Sequence, residues 1–355
     1  MVKVLKVTLL AFFLMVVLAA CGESEPATTE ATSTTETETE TAAETASDEI
    51  GLGEPETTDV TLRLNWKFKG EFAPLFVTKE KGFFEKYGLN VEVLEGNGAA
   101  PVMQAVAQGQ EEFGITSTVE PAQGLVEGMP IKMIASYMSR SPFLIVSHPD
   151  TPVETPKDLE GKSISISISS SLTNVFPNFL KSNGVDESKV KALPVETSAR
   201  NSLFLNKDVE AVAIFSTNEY PIFEEHLGVE LTPLYLADYG FDLASLTVIG
   251  NEKFMEENPN TVRRFLAALN EGFEYTFENT QEAAEISAEL FPEATDVETA
   301  KGQIERLKEI ALFDGVPYGW MSPENMERTL DILEESELIS ERYELERYFT
   351  NEFQE

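Results

Sequence analysis

The sequence predicts an α/β protein of two lobes, with two parallel or mixed sheets, flanking helices and a C-terminal helical tail. Short runs rich in β-branched and aromatic residues alternate with helical patterns from residue 60 onward, and this order indicates βαβ units. The alternation restarts after Pro152 and Pro156, which predicts a second lobe. From Asn260 onward the pattern is helical only.

The first round of elements begins with a period-two alternation over residues 60–66, which predicts the opening strand. A helix over 73–87 should end at Gly88, because glycine is favoured just after a helix C-terminus. The other elements predicted in this round are strands over 91–94, 113–117, 131–137 and 143–147, and helices over 101–108 and 122–128.

The second round has the same alternation and leads into the tail. The tail's last helix should begin with Ser322 as N-cap and Pro323 in its first turn. The predicted strands are 163–167, 190–194, 211–216 and 246–250, and the predicted helices are 172–182, 198–205, 220–227, 262–277, 282–290, 299–312 and 323–333.

Residues 1–20 are typical of a secretory signal peptide. Lys3 and Lys6 precede an apolar run over 7–18, which falls short of the about 20 residues that cross a bilayer comfortably. The string LAAC at 18–21 resembles the lipobox of bacterial lipoproteins, which implies cleavage before Cys21 and a lipid on its sulfur. An ordinary signal peptide or a short membrane anchor, with an incidental cysteine, is the alternative. Cys21 is the only cysteine, so no internal disulfide can form.

Residues 21–59 are predicted to be a disordered acidic tether behind the lipidated cysteine, because Thr, Glu, Ala and Ser dominate and Lys and Arg are absent. The formal net charge of the chain is −36, and most of it falls on residues 60–355. We therefore expect no binding to nucleic acid, and membrane contact through the lipid only. Either a saline or alkaline habitat or a merely soluble acidic surface would account for this charge.

Few residue types suited to catalysis or metal binding occur in the sequence. The only histidines are His148 and His226, and there is no second cysteine. No metal-ligand spacing, Ser-His-Asp arrangement or glycine-rich phosphate loop stands out. We therefore predict no cofactor, no metal and no enzymatic activity.

Several short strings carry a resemblance to a known family, and each of them alone is weakly specific. They are LNW at 64–66, FAPL at 72–75, KEKGFF at 79–84, GLNVEV at 88–93, QAVAQG at 104–109, FGI at 113–115, PKDLEGK at 156–162, NEY at 218–220 and DYG at 238–240. Together, over about residues 60–290, they resemble the type II solute-binding receptors of ABC importers. The matching branch binds thiamine-pyrimidine precursors, riboflavin, taurine, aliphatic sulfonates or nitrate. Tyr220 departs from the family's proline.

The resemblance implies a type II periplasmic-binding-protein fold, with lobe 1 over 60–150, lobe 2 over 151–238, and a return to lobe 1 with C-terminal helices over 239–355. It also implies a monomer that captures a small molecule between its lobes and delivers it to permease subunits with a cytoplasmic ATPase. We expect a flat heteroaromatic ligand, and a sulfonate, taurine or nitrate is the alternative. A pyrimidine-synthesising enzyme branch is cytoplasmic and needs a histidine in the cleft. A surface sensor or adhesion protein is a third hypothesis.

In the first lobe, candidate ligand residues follow strand ends, where ligands of open α/β sheets bind. Trp66 offers an aromatic platform at the end of the first strand, and Phe72 follows in the connecting loop. Ser117 and Thr118 could donate hydroxyl hydrogen bonds, and Tyr137 ends the next strand. Core packing is the alternative for the aromatic residues, and helix capping is the alternative for the two hydroxyls.

In the second lobe, the serine turn Ser169, Ser170 and Ser171 between a strand and a helix suits an anion or a carbonyl, or serves as a plain helix cap. Asn218 and Glu219 follow another strand, and a buried Glu219 could accept hydrogen bonds from an amino-pyrimidine or isoalloxazine edge. The alternative is an exposed acid at a helix start. Tyr239 and Asp242 lie near the expected crossing between lobes, as ligand or hinge residues.

Overall fold

The computed structural model describes residues 51–311 and 316–354, which belong to one compact unit, Ala43–Glu355. The predicted signal peptide, Cys21 and the tether up to residue 50 lie outside the described residues. The described residues form ten strands: β1 Asp59–Arg63, β2 Asn90–Leu94, β3 Phe113–Thr116, β4 Ile131–Met138, β5 Phe143–Ser147, β6 Ser163–Ser167, β7 Lys191–Val195, β8 Ala211–Phe215, β9 Thr232–Tyr235 and β10 Ser245–Asn251.

The strands form two five-stranded mixed sheets, one in each lobe. The first sheet has the order β2-β1-β3-β10-β4, and the second has the order β7-β6-β8-β5-β9. β1 runs parallel to β2 and β3, and β6 runs parallel to β7 and β8. β10 and β5 each run antiparallel to both of their neighbours. The predicted α/β class with two mixed sheets is confirmed.

Helices flank both sheets and form the tail. In the part of the chain described, no helix is both long and apolar enough to cross a bilayer. The α-helices are Ala73–Glu80, Phe83–Lys86, Ala99–Ala107, Val119–Val126, Ser171–Ser182, Thr197–Leu205, Glu219–Leu227, Glu252–Glu257, Pro259–Glu278, Thr280–Leu290, Val297–Ala311, Pro323–Glu335 and Leu345–Tyr348. Short 3-10 helices occupy Gly70–Phe72, Pro156–Leu159, Glu187–Lys189 and Leu236–Tyr239.

Two local predictions differ from the structure. The single helix expected over 73–87 is two helices, because Gly82 between them adopts a φ of +72°, in the left-handed region that glycine tolerates. Strand β9 was not predicted at all. It is a four-residue edge strand containing Pro233, and proline is accepted only at such sheet edges.

The crossings between lobes also differ from the sequence-based limits. β5 pairs with β8 and β9, so the chain has already entered the second sheet at residue 143, before the expected change after residue 150. Strand pairing of this kind is decided by non-local contacts, which a local pattern does not contain. The return crossing lies between β9 and β10, over residues 236–244, and includes the expected position 239.

The tail packs on both lobes. Helix Val297–Ala311 contacts helix Glu219–Leu227, and helix Pro323–Glu335 contacts helix Ser171–Ser182. One buried apolar cluster accordingly contains Leu125 of the first lobe, Phe179 of the second and Leu333 of the tail. The tail therefore ties the lobes together, whereas the sequence placed it with the first lobe alone.

The fold begins several residues before β1, inside the segment predicted to be tether. The Glu56 carboxylate accepts hydrogen bonds from the backbone N–H groups of Asn260, at 3.2 Å, and Thr261, at 2.9 Å. The buried Arg264 donates its Nε to the Gly53 carbonyl at 2.6 Å. Glu56 thereby caps the start of helix Pro259–Glu278, where its negative charge is favoured.

Candidate functional site

A cleft of about 840 Å³, its open mouth included, lies between the two lobes. It forms where the carboxyl ends of β1 and β3 meet those of β6 and β8, the usual position of a ligand in open α/β sheets. Its lining residues are Asn65, Trp66, Glu71, Phe72, Gly98, Ala99, Thr116, Ser117, Glu120, Met138, Pro142, Ser167, Ser169, Ser170, Ser171, Thr197, Arg200, Phe215, Asn218, Glu219, Ser245 and Leu246.

Aromatic rings reach the cleft from both lobes. Trp66 lies three residues beyond β1 and is partly buried against the core of the first lobe. Phe72 ends the 3-10 helix Gly70–Phe72 and is buried, and Phe215 ends β8 in the second lobe. For Trp66 and Phe72, core packing and cleft lining therefore coincide and are not alternatives. The rings supply flat apolar surface, which suits stacking with a planar ligand.

On the first-lobe side, Glu120 accepts hydrogen bonds from serines of both lobes at one end of the cleft. It lies in the first turn of helix Val119–Val126. One of its carboxylate oxygens accepts a hydrogen bond from the Ser117 hydroxyl, and the other accepts one from Ser171 of the second lobe. The hydroxyl oxygens of Ser117 and Ser171 are 3.4 Å apart. Glu120 therefore joins the two lobes directly.

On the second-lobe side, the serine turn is both a helix cap and part of the cleft lining. The Ser170 hydroxyl accepts from the N–H of Leu172 at 3.3 Å and caps helix Ser171–Ser182. The Ser167 hydroxyl lies 3.0 Å from that of Ser169 and 2.8 Å from that of Thr197. The hydroxyls of this turn are thus already engaged with one another and with the helix start.

Glu219 forms a buried ion pair within the second lobe. Arg200 Nη2 donates to Glu219 Oε1 at 2.5 Å, and the two residues are 2% and 6% exposed. Arg200 also donates Nη1 to the Ala213 carbonyl, and the N–H of Phe215 donates to the second Glu219 oxygen. Burying such a pair requires good geometry and further hydrogen bonds, which these contacts supply. The charge of Glu219 is therefore balanced inside its own lobe.

Glu71 is a second carboxylate of the first lobe that accepts a hydrogen bond from the second lobe. The Thr217 hydroxyl donates to Glu71 Oε2 at 2.6 Å, from the second lobe to the first. Burial raises the pKa of Glu71 to about 7, and the nearby negative charge of Glu219 acts in the same direction. At neutral pH this side chain is therefore only partly ionised.

A tail residue contacts both lobes beside Glu71. Gln303 is almost fully buried, accepts the Gly70 N–H at 2.8 Å and donates Nε2 to the Asn218 carbonyl at 2.9 Å. A Cβ on Gly70 would lie 2.3 Å from the Gln303 amide oxygen, so only glycine fits this approach. Leu246, in strand β10, lines the cleft with a φ of +47°, a strained conformation for a residue other than glycine.

Two residues predicted to contact ligand lie instead in the core of the first lobe. The Thr118 hydroxyl donates to the Ala244 carbonyl at 2.7 Å and is fully buried. Tyr137 stacks on Phe273, with ring centroids 3.9 Å apart, and donates its hydroxyl to Asn270 at 2.8 Å. Neither side chain is among those that line the cleft, and neighbours in the first lobe satisfy the polar groups of both. The expectation that they line it is corrected.

Two further predicted residues lie at the return crossing and do not line the cleft. The Tyr239 hydroxyl donates to the Glu154 carbonyl at 3.1 Å. Asp242 accepts the Ser141 N–H at 2.8 Å and pairs with Arg328 of the tail at 3.1 Å. Asp242 thus links the two segments that cross between the lobes, through Ser141, whereas Tyr239 contacts a segment between β5 and β6. A hinge role for either residue stays a prediction.

The other predicted side chains all line the cleft: Trp66, Phe72, Ser117, Ser169, Ser170, Ser171, Asn218 and Glu219. Their contact with a ligand stays a prediction. Sequence reasoning missed three charged lining residues, Glu71, Glu120 and Arg200. A signal existed for Glu120, since Ser117 and Glu120 have the spacing of a capping box. For Glu71 and Arg200 we find no local signal.

Neither histidine belongs to the cleft. The His148 ring stacks on Phe204 at 4.1 Å in the second lobe, and His226 lies in the last turn of helix Glu219–Leu227. Within residues 51–311 and 316–354, no group of three or more His, Cys, Asp and Glu side chains could hold a metal ion.

Two sheets of this order with a cleft between them define a two-lobed fold of the periplasmic-binding-protein type. The chain belongs to the NMT1/THI5-like family, whose model matches residues 69–283. In structure it is similar to the periplasmic aliphatic sulphonate binding protein SsuA from Escherichia coli, with a TM-score of 0.65 and 15% identity. That match covers 84% of this chain and 100% of SsuA, and it shows the fold alone.

Relatives of the chain include both binding proteins and an enzyme. The riboflavin-binding protein RibY of Chloroflexus aurantiacus is 24% identical, over 98% of this chain and 97% of RibY. The formylaminopyrimidine-binding protein of Halalkalibacterium halodurans is 24% identical, over 68% of this chain and 72% of that protein. The 4-amino-5-hydroxymethyl-2-methylpyrimidine phosphate synthase of Legionella pneumophila is 24% identical, over 66% of this chain and 74% of that enzyme.

Proposed function

We propose that this chain is the solute-binding lipoprotein of an ABC importer, and that it captures a flat heteroaromatic solute between its lobes. Riboflavin and a pyrimidine precursor of thiamine are the two candidate solutes. The observation that carries the proposal is the composition of the cleft, which is lined by the aromatic residues Trp66, Phe72 and Phe215 and by the carboxylates Glu71 and Glu120. A planar ring stacks on aromatic side chains, and its N–H groups donate to carboxylates. The names of two relatives, which bind riboflavin and formylaminopyrimidine, support it.

A sulfonate, taurine or nitrate receptor is the alternative, and the charge of the cleft disfavours it. Arg200 is the only basic residue among the lining residues, and it is paired with Glu219. Glu120 and the partly ionised Glu71 add negative charge. A buried anion needs opposite charge or several free donors around it, and this cleft offers few of either. The likeness to SsuA therefore supports a shared architecture rather than a shared ligand.

An enzyme of the pyrimidine-synthesising branch is the remote alternative. Such an enzyme needs a histidine in its cleft, and the lining residues include neither His148 nor His226. The sequence also begins with a predicted export signal, whereas that branch is cytoplasmic. We therefore propose a receptor and not a synthase.

The N-terminal sequence gives the proposed location, on the outer face of the cell membrane. A lipid on Cys21 would hold the protein there, and the acidic segment that follows would let the folded body reach a permease. The body would act as a monomer whose lobes close on the solute by a hinge motion and then dock on permease subunits served by a cytoplasmic ATPase.

A thermal-shift screen tests this proposal. The chain from Gly22 onward is mixed separately with riboflavin, aminopyrimidines, taurine, alkanesulfonates and nitrate. A solute present at 100 times its Kd should add about 2.7 kcal/mol to the free energy of unfolding. We expect a shift with riboflavin or an aminopyrimidine and none with nitrate. A response to taurine or an alkanesulfonate alone would refute the choice of ligand.

A further inference from the structure

The position of Glu120 has a consequence for the charge of the solute. Helix Val119–Val126 of the first lobe and helix Ser171–Ser182 of the second begin on opposite sides of the cleft. The partial positive charges at such helix starts, together with hydroxyls, favour a bound anion. Here the carboxylate of Glu120 lies between Ser117 and Ser171 and accepts a hydrogen bond from each.

We infer that Glu120 is a specificity-determining residue, which occupies with its own carboxylate the place where a solute's anionic group would bind, and so restricts the cleft to solutes without one. This inference rests on the proposed function, and it narrows the solute class to the dephosphorylated, uncharged or cationic form of the heteroaromatic compound.

Hydrogen bonding gives the first argument. A serine hydroxyl has a single proton to donate, and those of Ser117 and Ser171 are both directed to Glu120. Of the neighbouring hydroxyls, Ser167 bonds Ser169 and Thr197, while the Ser170 oxygen accepts the N–H of Leu172. A phosphate or sulfonate placed between Ser117 and Ser171 would have to break their two bonds to Glu120.

Charge gives the second argument. An anion at this end of the cleft would stand beside the Glu120 carboxylate, in surroundings less polar than water, where like charges repel strongly. Arg200 does not offset that repulsion, because Glu219 already balances its charge. The other ionisable lining residue, Glu71, is also an acid. Removing the charge of Glu120 is therefore the change that should admit an anion.

The test compares uncharged and phosphorylated forms of the same ring in Glu120→Gln, which keeps the shape of the side chain, removes its charge and replaces one acceptor oxygen with an NH2 donor. The pairs are riboflavin with flavin mononucleotide, and 4-amino-5-hydroxymethyl-2-methylpyrimidine with its phosphate. In the unchanged protein we expect the uncharged form to bind at least 100-fold more tightly. In Glu120→Gln that ratio should fall tenfold or more, mainly because the phosphorylated form binds better.

Glu127→Gln is the matched control. Glu127 lies at the other end of the same helix and is exposed, so the variant changes the net charge equally and leaves the cleft untouched. Its ratio should equal that of the unchanged protein. Glu120→Asp keeps the charge on a shorter side chain and should still reject the phosphorylated form, which separates charge from geometry even if Glu120→Gln folds poorly.

Two outcomes separate failure of this inference from failure of the proposed function. If the ring compounds bind but the ratio in Glu120→Gln is unchanged, Glu120 has no role in specificity. If no ring compound binds, the proposed function fails, and ethanesulfonate then decides the role of Glu120. Ethanesulfonate should stabilise Glu120→Gln and not the unchanged protein. Binding of ethanesulfonate to the unchanged protein, or no gain in the variant, would overturn the inference.

Discussion

In the first lobe β10 lies antiparallel between β3 and β4, and in the second β5 lies antiparallel between β8 and β9. Each lobe thus repeats one arrangement of five strands, and each receives one strand that follows a crossing from the other. The side chains at the strand ends do not repeat. The first lobe presents Trp66, Glu71 and Glu120 to the cleft, and the second presents a row of hydroxyls and the Arg200–Glu219 pair.

This difference shows how the two lobes complement each other. The hydroxyls of Thr217 and Ser171 in the second lobe donate to the carboxylates of Glu71 and Glu120 in the first. In each lobe alone these groups would face water, so the two lobes form these polar contacts because their side chains differ. The two lobes therefore share one strand order, and the cleft between them depends on the different side chains that each lobe supplies.

The largest expected effect on stability comes from breaking the buried Arg200–Glu219 ion pair of the second lobe. Arg200→Ala should lower the free energy of unfolding by about 3–5 kcal/mol, because it leaves the buried Glu219 carboxylate without its partner. Urea unfolding measures this. The control is Lys253→Ala, whose exposed pair with Glu257 should contribute no more than about 1 kcal/mol. A loss below about 1 kcal/mol in Arg200→Ala would mean that the pair is not the organising contact of this lobe.

Removal of the aromatic platform of the first lobe should mainly affect binding. Trp66→Ala should weaken a ring ligand by about 2 kcal/mol, since stacking and apolar contact are lost together. Calorimetry gives the change in Kd. Trp320, the other tryptophan, does not line the cleft, so Trp320→Ala is the matched control and should leave the Kd unchanged. Equal losses in both variants would point to stability rather than to stacking.

The sequence predicts those differences between the lobes that depend on residues close together in the chain, and it does not predict those that depend on residues far apart. Local periodicity predicts where the strands end. The residues at those ends, Trp66, Ser117 and the serine turn, do line the cleft. The partners that set the charge of the site are not local. Arg200 reaches Glu219 only when the helices that carry them, Thr197–Leu205 and Glu219–Leu227, both pack on β8. Glu71 meets a threonine 146 residues away.

Contacts between residues far apart in the chain also explain why the predicted place of β5 and the predicted role of Tyr137 were wrong. The limits of β5 were predicted to the residue, yet its place in the second sheet depends on pairing with strands that come much later in the chain. The position of Tyr137 at the end of a predicted strand indicates a ligand contact. Its stacking on Phe273, from a helix over a hundred residues later, could not be read from the strand itself.

The buried carboxyl group of Glu71 in the first lobe should make the free energy of unfolding depend on pH. Because burial raises the pKa of Glu71 to about 7, the folded chain holds a proton that the unfolded chain, with a pKa near 4.5, releases earlier. The free energy of unfolding, relative to Glu71→Gln, should therefore fall as pH rises from about 4.5 to about 7 and then level off. Urea unfolding across this range measures it. Glu80→Gln, at an exposed site, should keep the unchanged protein's profile.

The smallest expected effect belongs to a single hydroxyl across the cleft. Thr217→Val removes the hydrogen bond to Glu71 and should cost about 1 kcal/mol of unfolding free energy. Because that bond lowers the pKa of Glu71, the variant should also move the pH dependence to higher pH. An unchanged profile in Thr217→Val would show that the two lobes do not share this contact in solution.

The most direct test of the central claim, that this cleft takes an uncharged flat ring, is one calorimetric comparison on the chain from Gly22 onward. Riboflavin and 4-amino-5-hydroxymethyl-2-methylpyrimidine are titrated separately, and ethanesulfonate is titrated under the same conditions. We predict that one of the two ring compounds binds at one molecule per chain and that ethanesulfonate gives no binding heat. Saturable binding of ethanesulfonate, with none from either ring compound, would contradict the account.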